Sequence, residues 1–151
     1  ADILANEAIR LSGENGRIVC ISCPTVYKKL HSLNKEIKLC LLEYDKRFSI
    51  FGDDFIFYDY KNPLNLHNKL KQAFDVVLAD PPYLSEECLS NVAKTIKFLG
   101  RDKIILCTGA IMEDLACKLL DVRPSLLKIN HQKKLGNEFK CFVNYNSFTE
   151  K

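Results

Sequence analysis

Apolar, strand-like runs alternate with helix-like segments of about 10 to 15 residues along the whole chain, and that alternation predicts an α/β fold: a mostly parallel sheet with helices on both faces. Two further observations sharpen the class. Residues 17–22 and 74–79 are apolar almost throughout instead of alternating, the pattern of strands buried on both faces. The last two strand-like runs follow each other with no long helix between them, which predicts an antiparallel hairpin at the C-terminal edge of the sheet.

Residues 1–12 read as a helix, with Ile3, Leu4, Ala8, Ile9 and Leu11 on or near one face, followed by a turn at 12–16. The first strand is 17–22. Pro24 then opens a helix to Leu33, since proline suits the first helical position. Residues 36–43 give a second strand, and 55–58 a third that ends at Asp59. The fourth, 74–79, is stopped by Asp80-Pro81-Pro82, because proline cannot continue a central ladder. Ser85-Glu86-Glu87 begins a helix to Leu99, with the acids where the positive end of the helix dipole favours them. Residues 103–107 are a fifth strand, 111–120 a further helix, and 126–130 and 140–145 the closing pair. No repeat, low-complexity tract or linker divides the sequence, so residues 1–151 read as a single domain, Rossmann-like in its order, with ligands expected at the carboxyl ends of the strands.

Composition removes several function classes. Lys plus Arg is 22 against 19 for Asp plus Glu, and a net charge of +3 makes no strong electrostatic case for nucleic acid. The densest basic pairs, Lys28-Lys29 and Lys133-Lys134, read as solvated faces. No apolar run reaches the ~18 residues of a spanning helix. Seven cysteines is an odd number, and Cys20, Cys40, Cys107 and Cys141 each sit in a strand-like run, as small core hydrophobes in a reducing, intracellular setting would. Cys20 and Cys23 form a lone CxxC. His31, His67 and His131 are too far apart to complete a zinc site, so no metal is expected, and no hydrolase signature is present. The chain begins without an initiator Met or an obvious helix cap and reads as part of a longer protein.

The strongest motif is Asp80-Pro81-Pro82-Tyr83 at the end of an apolar strand. Its prolines fix φ and carry no N–H, which leaves backbone carbonyls to accept from a bound amine, with Asp80 as a side-chain acceptor. Tyr83 supplies an aromatic face that can stack on a base or flank an aliphatic amine. The motif suits methyl transfer to nitrogen, and a lysine amine and an adenine amine fit it equally. Glu43 and Asp45 follow the second strand, where dinucleotide folds place a carboxylate on ribose hydroxyls, and Asp59-Tyr60 follows the third, where an adenine amino group would be received. The loop after the first strand, Ser22-Cys23-Pro24, completes a candidate cofactor site. It contains no glycine, which disfavours a pyrophosphate-bearing dinucleotide more than S-adenosylmethionine.

Residues 41–48, 55–60, 79–88, 107–113 and 137–139, in this order, resemble the lysine methyltransferases of eukaryotic translation elongation factor 1-alpha, a family first labelled N6-adenine DNA methyltransferases for its Asp-Pro-Pro-Tyr motif. The resemblance implies a seven-stranded class I methyltransferase sheet, S-adenosylmethionine without a metal, a lysine of elongation factor 1-alpha as substrate, and a cytoplasmic protein with no membrane or nucleic-acid partner. By position it implies Glu43 on the ribose, Asp59 on the adenine, and Asp80, Pro81, Pro82 and Tyr83 as the catalytic lysine channel. Tyr83, Asn137 and Phe139 fall on the substrate side. It also implies an N-terminal segment preceding the first helix. Two alternatives stay open from the residues themselves: an N6-adenine nucleic-acid methyltransferase, and a non-catalytic module that keeps the sheet without the donor site.

Overall fold

The structure, a computed structural model, describes residues 2–33, 36–127, 133–134 and 137–146. Four α-helices occur among them: α1 (Asp2–Ser12), α2 (Pro24–Leu33), α3 (Glu86–Leu99) and α4 (Glu113–Leu120). The strands are β1 (Arg17–Ile21), β2 (Lys38–Glu43), β3 (Phe55–Phe57), β4 (Phe74–Ala79), β5 (Gly100–Gly109), β6 (Arg123–Pro124), β7 (Lys133–Lys134) and β8 (Asn137–Val143). They pair in the order β3-β2-β1-β4-β5-β8-β6, with the two-residue β7 attached to β8. The pairs from β3 to β5 are parallel, and β8 runs antiparallel to both β5 and β6. Among the described residues no helix is long and apolar enough to cross a membrane.

Both faces are covered, which is why β1 and β4 are apolar apart from Arg17 and Asp75 near their starts. On one face Val19, Ile21, Leu42, Val77 and Leu106 pack with Leu89, Val92, Ile96 and Leu99 of α3 and with α4. On the other, Ile18, Cys20, Leu41, Val76, Leu78 and Ile105 pack with Ala5 and Ala8 of α1 and with Val26, Tyr27 and Leu30 of α2. Each fully buried aliphatic side chain in these layers contributes roughly 1.5–3 kcal/mol.

The sequence-based elements differ mainly near the C-terminus. The strand expected at 126–130 is absent in its described part: Leu126 and Leu127 lie outside any strand, and 128–130 lie outside the described residues. Pairing falls instead to Arg123–Pro124, opposite Val143 and Phe142. Asp121 ends α4 in the left-handed region at φ 53°, so the chain turns at once into the edge position, and Pro124, which lacks an N–H, ends the pairing there. β8 begins at Asn137, three residues earlier than expected, β5 runs longer at both ends, and a 3-10 turn, Ala110–Met112, precedes α4. Cys20 and Cys141 are buried as expected, whereas Cys40 and Cys107 are only half-buried. For Cys40 the cause is that α3 packs over β4 and β5 and leaves β2 less covered.

A charge cluster pins α1 to the end of the chain. Arg10 donates two hydrogen bonds to Glu7, at 3.0 and 2.7 Å, and the Tyr145 hydroxyl donates a third at 2.6 Å. The Arg10 hydrogen bonds hold the Glu7 carboxyl below its ordinary value despite burial, which pulls the other way. A depressed folded pKa means stability that is fully present above the unfolded value of about 4.3 and is lost as pH falls through the folded one. Glu7→Gln is therefore expected to lower stability at pH 7 by about 2 kcal/mol. In urea titrations the gap from the parent should close towards pH 3; a gap independent of pH would contradict this origin.

Candidate functional site

Parallel pairing carries past the strand ends and aligns four loops at one edge. The Tyr58 amide donates to the Glu43 carbonyl (3.0 Å), Ser22 to Leu42 (2.8 Å) and Asp80 to Ile21 (3.0 Å). The loops after β1, β2, β3 and β4 are thereby set side by side, at the point where the strand order turns from β1 back across to β4. A cleft of about 690 Å³ opens there, lined by Ser22, Glu43, Tyr44, Asp45, Tyr58, Asp59, Tyr60, Lys61, Pro82, Tyr83 and Ser85. That volume suits a ligand of nucleoside size or larger.

The missing glycine of the first loop has a structural answer. Ser22 adopts φ 59°, the left-handed conformation that glycine takes without cost. Its amide is held by Leu42 while the chain turns into Pro24 at the head of α2.

The acids differ in their commitments. Glu43 accepts the Asp45 amide at 2.9 Å and presents the remainder of its carboxylate to the cleft. Asp45 caps the 3-10 segment Lys46–Asp54 and grips Arg47 through the Arg47 amide and guanidinium, at 2.7 to 3.1 Å. The Arg47 side-chain hydrogen bonds hold its carboxyl below the ordinary value. Asp45 lines the cleft with its carboxylate already engaged. Asp59 accepts the Lys61 amide at 2.9 Å. The loop carrying Asp59 and Tyr60 is tied to α3 by a hydroxyl relay: Thr95 donates to the Pro63 carbonyl (2.8 Å), so the buried Tyr58 hydroxyl is the donor in its 2.6 Å contact with Thr95. Burial pushes the Tyr58 phenol up to about 12, so it stays a donor at any working pH.

The Asp80–Tyr83 turn stands at the opposite wall. Pro81 is buried and Pro82 exposed, and the Tyr83 ring, 61% exposed, meets the Tyr60 ring edge-on with centroids 5.9 Å apart. Ser85 closes the turn by capping α3, its hydroxyl accepting the Cys88 amide at 3.1 Å. Asp80 is half-buried. Its charge adds to the upward push on two thiols, Cys23 and Cys107, which are raised first by hydrogen bonds to Cys20 and Cys141 and then by burial. Thiols held protonated in this way are poor nucleophiles, which leaves the CxxC as core packing.

Seven of the residues singled out from sequence line this cleft together: Ser22, Glu43, Asp45, Asp59, Tyr60, Pro82 and Tyr83. Cys23 turns inward, with its thiol 3.7 Å from the Leu78 carbonyl, and Pro24, Asp80, Pro81 and Phe139 lie outside the described lining. Phe139 pairs with Gly109 across β5 and β8, which puts the beginning of β8 at the same sheet edge as the Asp80–Tyr83 turn. Of Asn137 only the backbone, opening β8, is described. Tyr44, Tyr58, Lys61 and Ser85 complete the lining. They adjoin the acids and the turn in sequence, and proximity was the available signal.

A family profile described as probable N6-adenine methyltransferase matches residues 1–147. The chain belongs to that family. It is 54% identical over 149 residues to EEF1A lysine methyltransferase 1 of Bos taurus, covering 97% of this chain and 66% of the relative. It is 53% identical to the protein of that name from Danio rerio, covering 97% and 92% respectively. Among solved structures, a TehB-like SAM-dependent methyltransferase from Corynebacterium glutamicum superposes with a TM-score of 0.68 at 14% identity, over 93% of this chain and 85% of that one. Fibrillarin of Aeropyrum pernix, solved with bound S-adenosyl-L-methionine, gives 0.61 at 15% identity, over 88% and 67%. These neighbours show the class I Rossmann-like methyltransferase fold.

The left-handed serine is open to test. Ser22→Val, a β-branched residue forced to positive φ, is expected to cost about 1–2 kcal/mol and lower the melting temperature by several degrees, while Ser22→Gly leaves it equal or higher. Equal melting temperatures for Val and Gly would contradict the strain.

Proposed function

We propose that the protein transfers methyl groups from S-adenosylmethionine to the side-chain amine of a lysine in translation elongation factor 1-alpha, in the cytoplasm. One observation carries the reading: an acid-lined wall and the Asp80–Tyr83 turn face each other across a cleft of nucleoside size at the switch point of the sheet. The names of the relatives support the choice of substrate.

The residues present fit the donor. Glu43 offers a carboxylate to ribose hydroxyls and Asp59 one to an adenine amino group, and the lining acids favour a cationic ligand. Ser22 supplies a turn without a bulky side chain, and Tyr44, Tyr58 and Tyr60 give apolar ring surface. When bound, S-adenosylmethionine supplies a methyl group on a positively charged sulfur, activated for displacement by a neutral amine.

The work left to the protein concerns the lysine. Its ammonium has no lone pair, and removing a proton from a group of pKa near 10.4 costs about 4 kcal/mol at pH 7.4. Burial against the Pro82 and Tyr83 surfaces lowers that cost by disfavouring the charged form. Pro81 and Pro82 offer no N–H to compete for the amine lone pair, while the Asp80 side chain and the Pro81 carbonyl accept its remaining N–H bonds and aim the lone pair into the cleft. Tyr83, braced by Tyr60, flanks the alkyl stem. Phe139, at the start of β8, lies on the side from which a protein substrate would approach.

An N6-adenine acceptor is the second reading, favoured by the family's description. Among the described lining residues Lys61 stands against Glu43, Asp45 and Asp59, an unfavourable balance for a polyanion.

Labelled donor offered to the protein with elongation factor 1-alpha or with DNA separates the two; label in DNA alone would overturn the proposal. Asp80→Ala is expected to lower kcat by about 100-fold or more while S-adenosylhomocysteine affinity holds within about threefold. Glu43→Ala is expected to weaken that affinity by roughly tenfold. The reverse pattern would mean that the roles are exchanged, and a protein giving no heat and no thermal shift with S-adenosylhomocysteine would be a non-catalytic module.

A further inference from the structure

We infer that Gly109 is a positioning residue for the methyl transfer: its bare Cα, the last of β5, is the seat on which Leu84 rests, and this contact fixes the height of the Asp80–Tyr83 turn over the cleft. The inference rests on the function proposed above and adds a residue that touches neither donor nor amine.

The backbone of Gly109 does not need glycine. Its φ of −67° and ψ of 147° are open to any residue. What excludes a side chain is Leu84. A Cβ built on Gly109 would stand 2.8 Å from Leu84 Cδ2, 3.2 Å from Cδ1 and 3.6 Å from Cγ, where relaxed carbon contacts lie near 3.5–4.0 Å. Both methyls and their branch point crowd the same spot. Rotation about Cα–Cβ or Cβ–Cγ can clear the spot only by taking the isobutyl group off its place against the α3-side core, so either that packing is given up or Leu84 lifts.

Lifting Leu84 moves the turn, because the turn is held on both sides of it. At one end the Asp80 amide is hydrogen-bonded to Ile21, and at the other Ser85 caps α3. Pro81 and Pro82 lack N–H groups, so the middle of the turn gains no backbone donors from those two residues. The Tyr83 amide reaches the Cys88 thiol of α3, and packing under Leu84, which is partly buried against the α3-side core, adds the support from the β5 side. Its neighbour Tyr83 carries the ring that meets Tyr60. Gly109 is paired in register with Phe139 of β8, which holds this end of β5 in the sheet.

Gly109→Ala is the test, with Leu84→Ala and the double variant beside it. For Gly109→Ala we expect kcat on elongation factor 1-alpha to fall about 10-fold or more, since displacements of about 1 Å at a reacting centre cost up to 100-fold. S-adenosylhomocysteine affinity should stay within about twofold, because the donor acids stand on other loops. Removing the crowding methyls in Gly109→Ala/Leu84→Ala should restore kcat above that of Gly109→Ala. Unchanged kcat in Gly109→Ala would overturn the inference, as would a parallel loss of kcat, donor affinity and melting temperature that Leu84→Ala fails to relieve. A readout independent of substrate accompanies these: in NMR spectra of Gly109→Ala the Leu84 methyl and Tyr83 ring signals should move while the Tyr58 ring signal stays. If the parent protein methylates neither substrate offered, the functional proposal fails, and the spectra still decide whether Gly109 sets the turn.

Discussion

A sheet whose strands are added first to one side of β1 and then to the other has one place where the two loops leaving neighbouring strands diverge, and here that place lies between β1 and β4. Everything functional in the molecule depends on parallel pairing holding as far as that point. The amides of Ser22, Tyr58 and Asp80 continue the ladder one residue beyond the strands, so each loop starts from a fixed height. Each such bond is worth only about 1 kcal/mol net, yet together they set the relative positions of groups that are far apart in sequence. Both helical layers serve the same end, because a parallel sheet must be covered on both faces to exist at all.

On that frame the chemistry is a division of labour between two walls. Glu43 ends β2 and Asp59 follows β3, where their acids are held by hydrogen bonds to neighbouring amides and face the cleft. The turn after β4 is built differently, with a single acid, Asp80, beside two prolines, a ring and a capped helix. The contrast has a physical logic. A cationic, hydroxyl-rich donor is held by acceptors, whereas an amine that must lose its proton is served by apolar surface and carbonyls. The relay from Tyr58 through Thr95 to Pro63 keeps the first wall rigid by tying its outermost loop to α3, and Leu84 on Gly109 does the same for the second.

Much of this was readable before any coordinates. The nearly unbroken apolar runs of β1 and β4 announced strands buried on both faces, Ser85 announced the start of α3, and the acids after β2 and β3 pointed to the strand ends where the cleft lies. The features that escaped were those carried by tertiary contact. Ser22 holds a conformation that motif reading assigns to glycine, so the turn is made without one. Leu126 and Leu127 form an apolar pair without strand pairing, while Arg123–Pro124, which has no strand signature, pairs with β8 because α4 ends abruptly in a left-handed turn. Asp45 and Glu43 look equivalent in sequence, and only the Arg47 grip separates them. Gly109 lies two residues beyond the strand expected at 103–107 and carries no signal of its own, since its closeness to Leu84 spans 25 positions of chain and leaves no local trace.

The most direct test of the central claim is a crystal structure of the protein with S-adenosylhomocysteine. The account predicts the product between the loops after β1, β2 and β3, with its ribose at Glu43, its adenine at Asp59, and its sulfur turned towards the Asp80–Tyr83 wall. Product bound instead in the separate cavity at the opposite sheet edge, lined by Arg17, Lys38, Asp53 and Phe74, would contradict it.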